Sequence, residues 1–474
     1  MNADRNFLCI RCREVGHQTA DCQQLKPVRG RDGKQIFDPF SDEHVLATFP
    51  SDSSSLCERC VKYKILDVFD QDDILDVDSQ STNNRRPRRL QPDIGRLSSV
   101  VLRSNCPLCR LIFRVLPHVV AGHDEGDPML HLTPFPSYER HTSFLNKTPE
   151  NDKKNYSIYF SVQSQARELE ISSKYLADPS GMIGNRHYLA FALSSKTPVS
   201  RMTALGARLT GPSVDYAVLR RWLERCRTSH GKTCQRPWAP ELLSTRMIDV
   251  SSRQVVPCPD RCDYVALSYV WGNVGPKKGD LENRQLPQTI EDAITVTAEL
   301  GIQYLWVSQI FCYSSWSLSV LQVDALCIDQ IPTRQQRQQL DIMDIIYHCS
   351  TVTVVAISGE SSASGLPGVS MKTPRVPQGT EMIAGKQLLT IFPMLEQDIE
   401  GVKYSTRGWT MQEGMLTRCR LLFTKHQVHW CCNSAIFSEC IDETVDPGNY
   451  TECYQPESQV AWFDNVNYPV PSHH

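Results

Sequence analysis

Between Tyr264 and Ser358 the sequence alternates between two kinds of text, and that alternation constrains the fold more than any other feature. YVALSYVWG (264–272) is a β-branched and aromatic run closing on glycine, which predicts a buried strand entering a loop. LPQTIEDAITVTAELG follows, with Ile290, Ala293, Ile294, Thr297 and Leu300 at helical spacing. Thr289 and Asp292 stand at capping-box spacing, and Gly301 ends the pattern. YLWV from Tyr304 predicts a second strand, RQQRQQLDIMDIIYHCS a second helix, and TVTVVAIS (351–358) a third strand. Strand–helix–strand–helix–strand at these lengths implies right-handed crossovers and a parallel sheet, hence an α/β fold. Ligands of such sheets bind beyond the carboxyl ends of the strands. Ser268, Trp271 and Gly272 fall at that edge after the first strand, and the glycine suits a close backbone approach to phosphate. Asp324 and Asp329, in VDALCIDQ, fall past the second strand, either to bind ribose hydroxyls or to hold the loop in shape.

The chain of 474 residues has room for two or three domains. A net charge of −3 gives no global pull toward nucleic acid or an anionic membrane. The acidic run at Asp67, Asp70, Asp72, Asp73, Asp76 and Asp78 and the basic run at Arg85, Arg86, Arg88 and Arg89 read as a solvated linker. No apolar leader follows Met1, so the expected setting is the cytoplasm, with the nucleus also open to the chain. No GxGxxG and no GKS/T loop occurs, which argues against a tightly held dinucleotide or triphosphate cofactor.

Nineteen cysteines, several in CxxC pairs, favour zinc or buried thiols over disulfides in such a setting. CIRCREVGHQTADC places Cys9, Cys12, His17 and Cys22 at C-x2-C-x4-H-x4-C spacing within residues 5–25. A segment that short has no core, so a structural Zn2+ must supply its folding energy. It resembles the CCHC zinc knuckle, which implies a single-stranded nucleic acid partner, although Ile10 stands where an aromatic is common. CERC (Cys57, Cys60) and CPLC (Cys106, Cys109) lie within a region spanning 50–135 and can complete a second four-sulfur zinc site, despite the long stretch between them; otherwise they are partly buried, metal-free pairs. Residues 136–245 form a linking region with short strands at Ser157–Gln163 and Tyr188–Leu193. It ends in a helix carrying Val218, Leu219, Trp222, Leu223 and Cys226 on one face. With His230 and Cys234 that cysteine forms C-x3-H-x3-C, read as a helix end packed on its neighbour rather than as a metal site.

From Tyr304 to Val323 there is no charged residue. Five serines and two glutamines dilute the run, and it sits inside a βαβ unit, so a membrane span is the weaker reading.

YVALSYVWG, LWV…DALCIDQ, IMDIIYHCSTVTVVAIS and RGWTMQEGMLTRCRLLF, in that order, resemble the successive motifs of the fungal HET (heterokaryon incompatibility) domain, here 262–435. In that family the second strand runs directly into LWVDALCIDQ. Removing Val307–Gln322 restores the join, and codons for valine and glutamine match the GT and AG ends of an intron, so 307–322 reads as a retained intron. The remaining 436–474 reads as a polar C-terminal tail, and many HET proteins continue further. The resemblance implies an effector of non-self recognition that triggers programmed cell death when incompatible cells fuse. The partners expected are an unidentified incompatibility protein and a second copy of the chain, and no membrane. It also implies a TIR-like, flavodoxin-like fold, and some TIR domains cleave NAD, which would here be substrate. RGWTMQE then singles out Trp409 and Glu413, four apart on a helix, as ring platform and catalytic carboxylate. Otherwise Glu413 caps a helix or pairs with Arg407 or Arg418.

Overall fold

The computed structural model describes residues 55–62, 93–96, 106–115, 129–136, 158–164, 190–193, 206–272, 279–307, 327, 341–392, 395–398, 402–406 and 416–442. They fall into two units. One comprises Met1–Leu209, Val376–Pro393 and Cys440–Pro447, the other Thr210–Arg375, Met394–Glu439 and Gly448–His474.

The first unit is built on a six-stranded sheet, every neighbouring pair antiparallel, in the order 93–96, 129–136, 158–164, 190–193, 386–391, 380–383. Strands expected near 157–163 and 188–193 are thus found, and the tight turn at Ala384–Gly385 joins the last two. Helix Pro107–Val115 buries Leu108, Leu111 and Ile112, one stripe of its surface. Arg110 leaves that helix to grip Glu381 with two bonds, Nε–Oε1 at 2.9 Å and Nη2–Oε2 at 2.7 Å.

The second unit carries an eight-stranded mixed sheet. Its strands are β1 (Arg246–Asp249), β2 (Gln254–Pro257), β3 (Tyr264–Ser268), β4 (Tyr304–Val307), β5 (Val352–Val355), β6 (Cys419–Phe423), β7 (Val428–Cys432) and β8 (Ile436–Ser438). The order across the sheet is β8-β7-β6-β5-β3-β4-β1-β2. β3 is parallel to β4 and β5, and β5 to β6, so the parallel centre runs second, first, third, fourth. Antiparallel ribbons flank it: β7 and β8 on one side, β1 and β2 on the other. The wholly parallel expectation is therefore corrected to a mixed sheet. Hairpins after β6 and before β3 add strands at each edge, and their pairing is set by short local turns. With them the sheet extends from Arg246 to Ser438. The nominal tail also supplies Ile441–Asp442, which pairs with Gly206–Ala207 in the first unit.

Every residue of β3 and of β5 is buried, as expected for strands covered on both faces. Helix α1 (Tyr216–Ser229) starts at Asp215, whose carboxylate accepts from the N–H groups of Ala217 and Val218. It buries the five residues expected, and Trp222 stacks on Phe437 of β8 at 5.9 Å. Helix α2 (Gln288–Glu299) buries Ile290, Ala293, Ile294 and Thr297, as its spacing predicted. Helix α3 (Met343–His348) sends Tyr347 edge-on against Trp306 of β4, ring centroids 5.5 Å apart. The Tyr347 hydroxyl donates to the Leu267 carbonyl at 3.2 Å, and the Tyr264 hydroxyl to that of Ile346 at 2.6 Å. Two buried phenols thus tie α3 to β3.

Candidate functional site

The parallel centre reverses its strand order between β3 and β5, so their carboxyl ends mark the switch point where an α/β sheet offers a crevice. Ser268, the last residue of β3, is buried, and its hydroxyl lies 2.6 Å from that of Tyr404. The Ala356 N–H donates to the Ser268 carbonyl at 2.9 Å, continuing the ladder past both strands. Trp271 is half-buried against the core, and its carbonyl accepts from Ser362 N–H at 3.0 Å. Gly272 has φ +72°, and a Cβ there would sit 2.6 Å from that of Ser361. The glycine is required by the close pass of the chain's own 359–362 turn.

That same turn meets the start of α2. Thr289 and Asp292 do not form the expected capping box; helix α2 begins two residues earlier than that motif requires, with Pro287 in the cap position. Thr289 N–H donates to the Ser362 carbonyl at 2.9 Å, and its hydroxyl accepts from Gly365 N–H at 3.0 Å. Asp292 accepts from Leu366 N–H at 2.7 Å and from the Gln288 amide at 2.7 Å. Burial pushes the Asp292 carboxyl upward from its ordinary value, against these bonds. The side chains read as a helix cap instead hold the loop after β5.

Farther along the same edge Asp398 is buried between two histidines, 2.6 Å from His426 Nδ1 and 3.5 Å from His429 Nε2. Burial favours the neutral acid, but the charge and hydrogen bond of His426 outweigh it and hold the carboxyl well below its usual range.

Of the other residues marked from sequence, Asp324, Asp329, Trp409 and Glu413 lie outside the described residues, as do Cys9, Cys12, His17 and Cys22. Cys327 is described: it is buried, with its sulfur 4.0 Å from the Leu305 carbonyl. The chain that leaves β4 at Val307 is therefore back beside that strand twenty residues later.

In the first unit, Cys57, Cys60, Cys106 and Cys109 come together, all four sulfurs within 4.8 Å of one another. Cys106 lies at the start of helix Pro107–Val115 and Cys109 in its first turn; Cys57 and Cys60 flank and enter the short helix Glu58–Lys62. Tetrahedral zinc with Zn–S bonds of about 2.3 Å sets its sulfurs about 3.8 Å apart. Here Cys57–Cys109 is 3.9 Å and Cys60–Cys109 is 3.6 Å. Hydrogen bonds from Cys109 and Cys60 push the Cys106 thiol down, while sharing with Cys106 and Cys109 pushes Cys60 up. The cluster offers four convergent soft donors to one cation.

The sequence profile of the heterokaryon incompatibility protein (HET) family matches residues 264–313 and 312–413. That stretch of the second unit is similar to the HET family. No curated protein and no solved structure matches the chain. The HET match spans β3, α2, β4, α3 and β5, about a third of the chain, and it breaks at 312–313, inside the interval 307–322. Among the described residues no helix is long and apolar enough to cross a membrane.

Sequence reasoning missed Tyr404, the partner of Ser268 at the HET strand edge, because a tyrosine far along the chain carries no local pattern. It also missed Cys432, which joins Cys226, His230 and Cys234. The second cysteine of VHWCC was the available signal.

Proposed function

We propose that this chain is a heterokaryon incompatibility-type effector of fungal non-self recognition, and that its second unit drives programmed cell death by cleaving NAD. The observation that carries the reading is the HET match ending at Glu413, laid over a parallel centre in the order second, first, third, fourth. That order is shared by flavodoxin-like sheets, the class to which TIR domains are assigned, and supports the TIR-like reading. Glu413 would stabilise the ribosyl cation formed as the glycosidic bond to nicotinamide breaks, with Trp409 beneath the ring. Asp324 and Asp329 would hold ribose hydroxyls. The four-cysteine cluster would take a structural Zn2+ in the first unit. The break in the match at 312–313 and the return of Cys327 to Leu305 support reading 307–322 as an insert.

One observation favours a second reading, a non-catalytic adaptor that signals by self-association. The Thr289 N–H at the start of α2, which an NAD phosphate would use, is taken by Ser362, and Ser268 by Tyr404. Nicotinamide release from NAD separates the two. The chain lacking Val307–Gln322 should release it, and its Glu413→Gln form should not. A folded deletion form that binds NAD without turnover would establish the adaptor instead.

A further inference from the structure

Cys226, His230, Cys234 and Cys432 form a second convergent cluster, in the HET-bearing unit, with all four donor atoms within 4.8 Å of one another. Each is at most 9% exposed. Cys226 sits in the last turns of α1, His230 at its C-cap, Cys234 in the short helix Gly231–Cys234, and Cys432 at the end of β7. His230 Nδ1 lies 3.4 Å from the Cys432 sulfur and 3.7 Å from that of Cys234. Bonds of about 2.0 Å to nitrogen and 2.3 Å to sulfur at a tetrahedral ion put nitrogen and sulfur about 3.5 Å apart. The spacing is that of a Cys3His site.

Two further observations point to a cation. His230 is buried with Nδ1 turned toward the Cys234 and Cys432 sulfurs, and its Nε2 has no hydrogen-bond partner among the described residues, so the contacts that orient the ring are those to sulfur. Arg418, 6% exposed, donates to the carbonyls of Cys234 at 2.8 Å, His348 at 2.9 Å and Ser350 at 3.3 Å, and to no carboxylate among the described residues. A buried guanidinium is favoured by a negative charge nearby. Three thiolates and one divalent ion carry a net charge of −1, which supplies it.

We propose that Cys226, His230, Cys234 and Cys432 bind one structural Zn2+ through three thiolates and His230 Nδ1. The ion joins the C-terminal end of α1 to β7, two elements far apart in the chain, and so staples the segment that leads into the HET sheet onto that sheet. Loading the site releases thiol protons to solvent and changes no oxidation state. Ser434 Oγ, 3.5 Å from the Cys234 sulfur, is placed to donate to the ligand. Cys419, whose sulfur is 3.5 Å from that of Cys226, stays outside the four as a neighbouring thiol.

The test uses the full chain. It is alkylated under native conditions before and after chelation, and the modified cysteines are mapped by mass spectrometry. Cys226, Cys234 and Cys432 should be protected until the chelator strips the metal. Equal labelling in both states, or a Cys226–Cys419 disulfide in the isolated protein, overturns the proposal. Cys432→Ser should lower bound zinc by one equivalent, and an unchanged zinc content in a folded variant also overturns it. Should Cys432→Ser fail to fold, His230→Cys decides. That variant should keep its zinc and, loaded with cobalt(II), show the stronger sulfur charge-transfer absorption of a four-thiolate site. An unchanged cobalt spectrum rejects His230 as a ligand.

Discussion

Arg375 Nη2 lies 2.9 Å from Glu439 Oε2, with both side chains at most 2% exposed. Glu439 also accepts from Asp215 N–H, just before α1, at 3.2 Å and from Val428 N–H, at the start of β7, at 2.9 Å. One carboxylate therefore holds the loop after β5, the cap of α1 and an outer strand of the mixed sheet. Glu439→Gln keeps the shape but strands the buried guanidinium. It should cost about 3–5 kcal/mol, read as a lower midpoint in urea denaturation of the full chain.

Gly368 has φ +84°, and a Cβ there would fall 2.2 Å from Arg375 Nε. Gly301, which ends α2, has φ +74° with nothing within 4 Å of its virtual Cβ. Gly301→Ala should therefore cost only the left-handed backbone term, about 1–2 kcal/mol. Gly368→Ala must also displace Arg375 from Glu439 and should approach the loss seen for Glu439→Gln. The two midpoints, measured side by side, check the difference.

Asp249 closes the turn between β1 and β2. Ser251 Oγ at 2.6 Å is its strongest donor, and the Gln303 amide at 2.9 Å and Ser252 N–H at 3.1 Å join it. Together they outweigh its partial burial and hold its pKa at about 2, below 3.8. The unfolded chain thus takes up this proton first as pH falls. Stability from Asp249 is complete above 3.8 and is lost as pH drops through about 2. Asp249→Asn should be less stable than the parent at pH 7, and the gap should close on acidification. A gap that stays constant down to pH 2 would remove Asp249 as the cause.

Zinc at Cys57, Cys60, Cys106 and Cys109 should be lost together with the order of helix Pro107–Val115. Cys60→Ser should reduce bound zinc by one equivalent and expose amide hydrogens of residues 107–112 to exchange. Unchanged exchange would mean that packing of Leu108, Leu111 and Ile112 suffices without the ion.

The elements readable in the sequence were those whose pattern is local. β3, β4 and β5 announce themselves as apolar runs because they are covered on both faces, and α2 by its 3.6-residue stripe. Thr289 and Asp292 satisfied a local motif and were claimed by a distant loop, since Ser362, Gly365 and Leu366 bring backbone groups that need partners. The flanking β7, β8, β1 and β2 depend on hairpin register, which no single run reveals. Cys431 and Cys432 illustrate the limit. Strand alternation sends them to opposite faces, Cys431 among Val270, Val355 and Tyr404, and Cys432 toward α1. Only the paired sheet shows which thiol meets His230.

The six-stranded sheet takes its strand 190–193 from early in the chain and its neighbour 386–391 from long after, with most of the second unit encoded between them. During synthesis the amino-terminal strands leave the ribosome with the 190–193 edge unpaired until 386–391 has been translated. No single cut in the gene yields either unit intact. A fragment ending near residue 209 would present the bare edge of 190–193 to any other nascent copy, so expression of pieces favours aggregation and only the uninterrupted polypeptide closes both sheets.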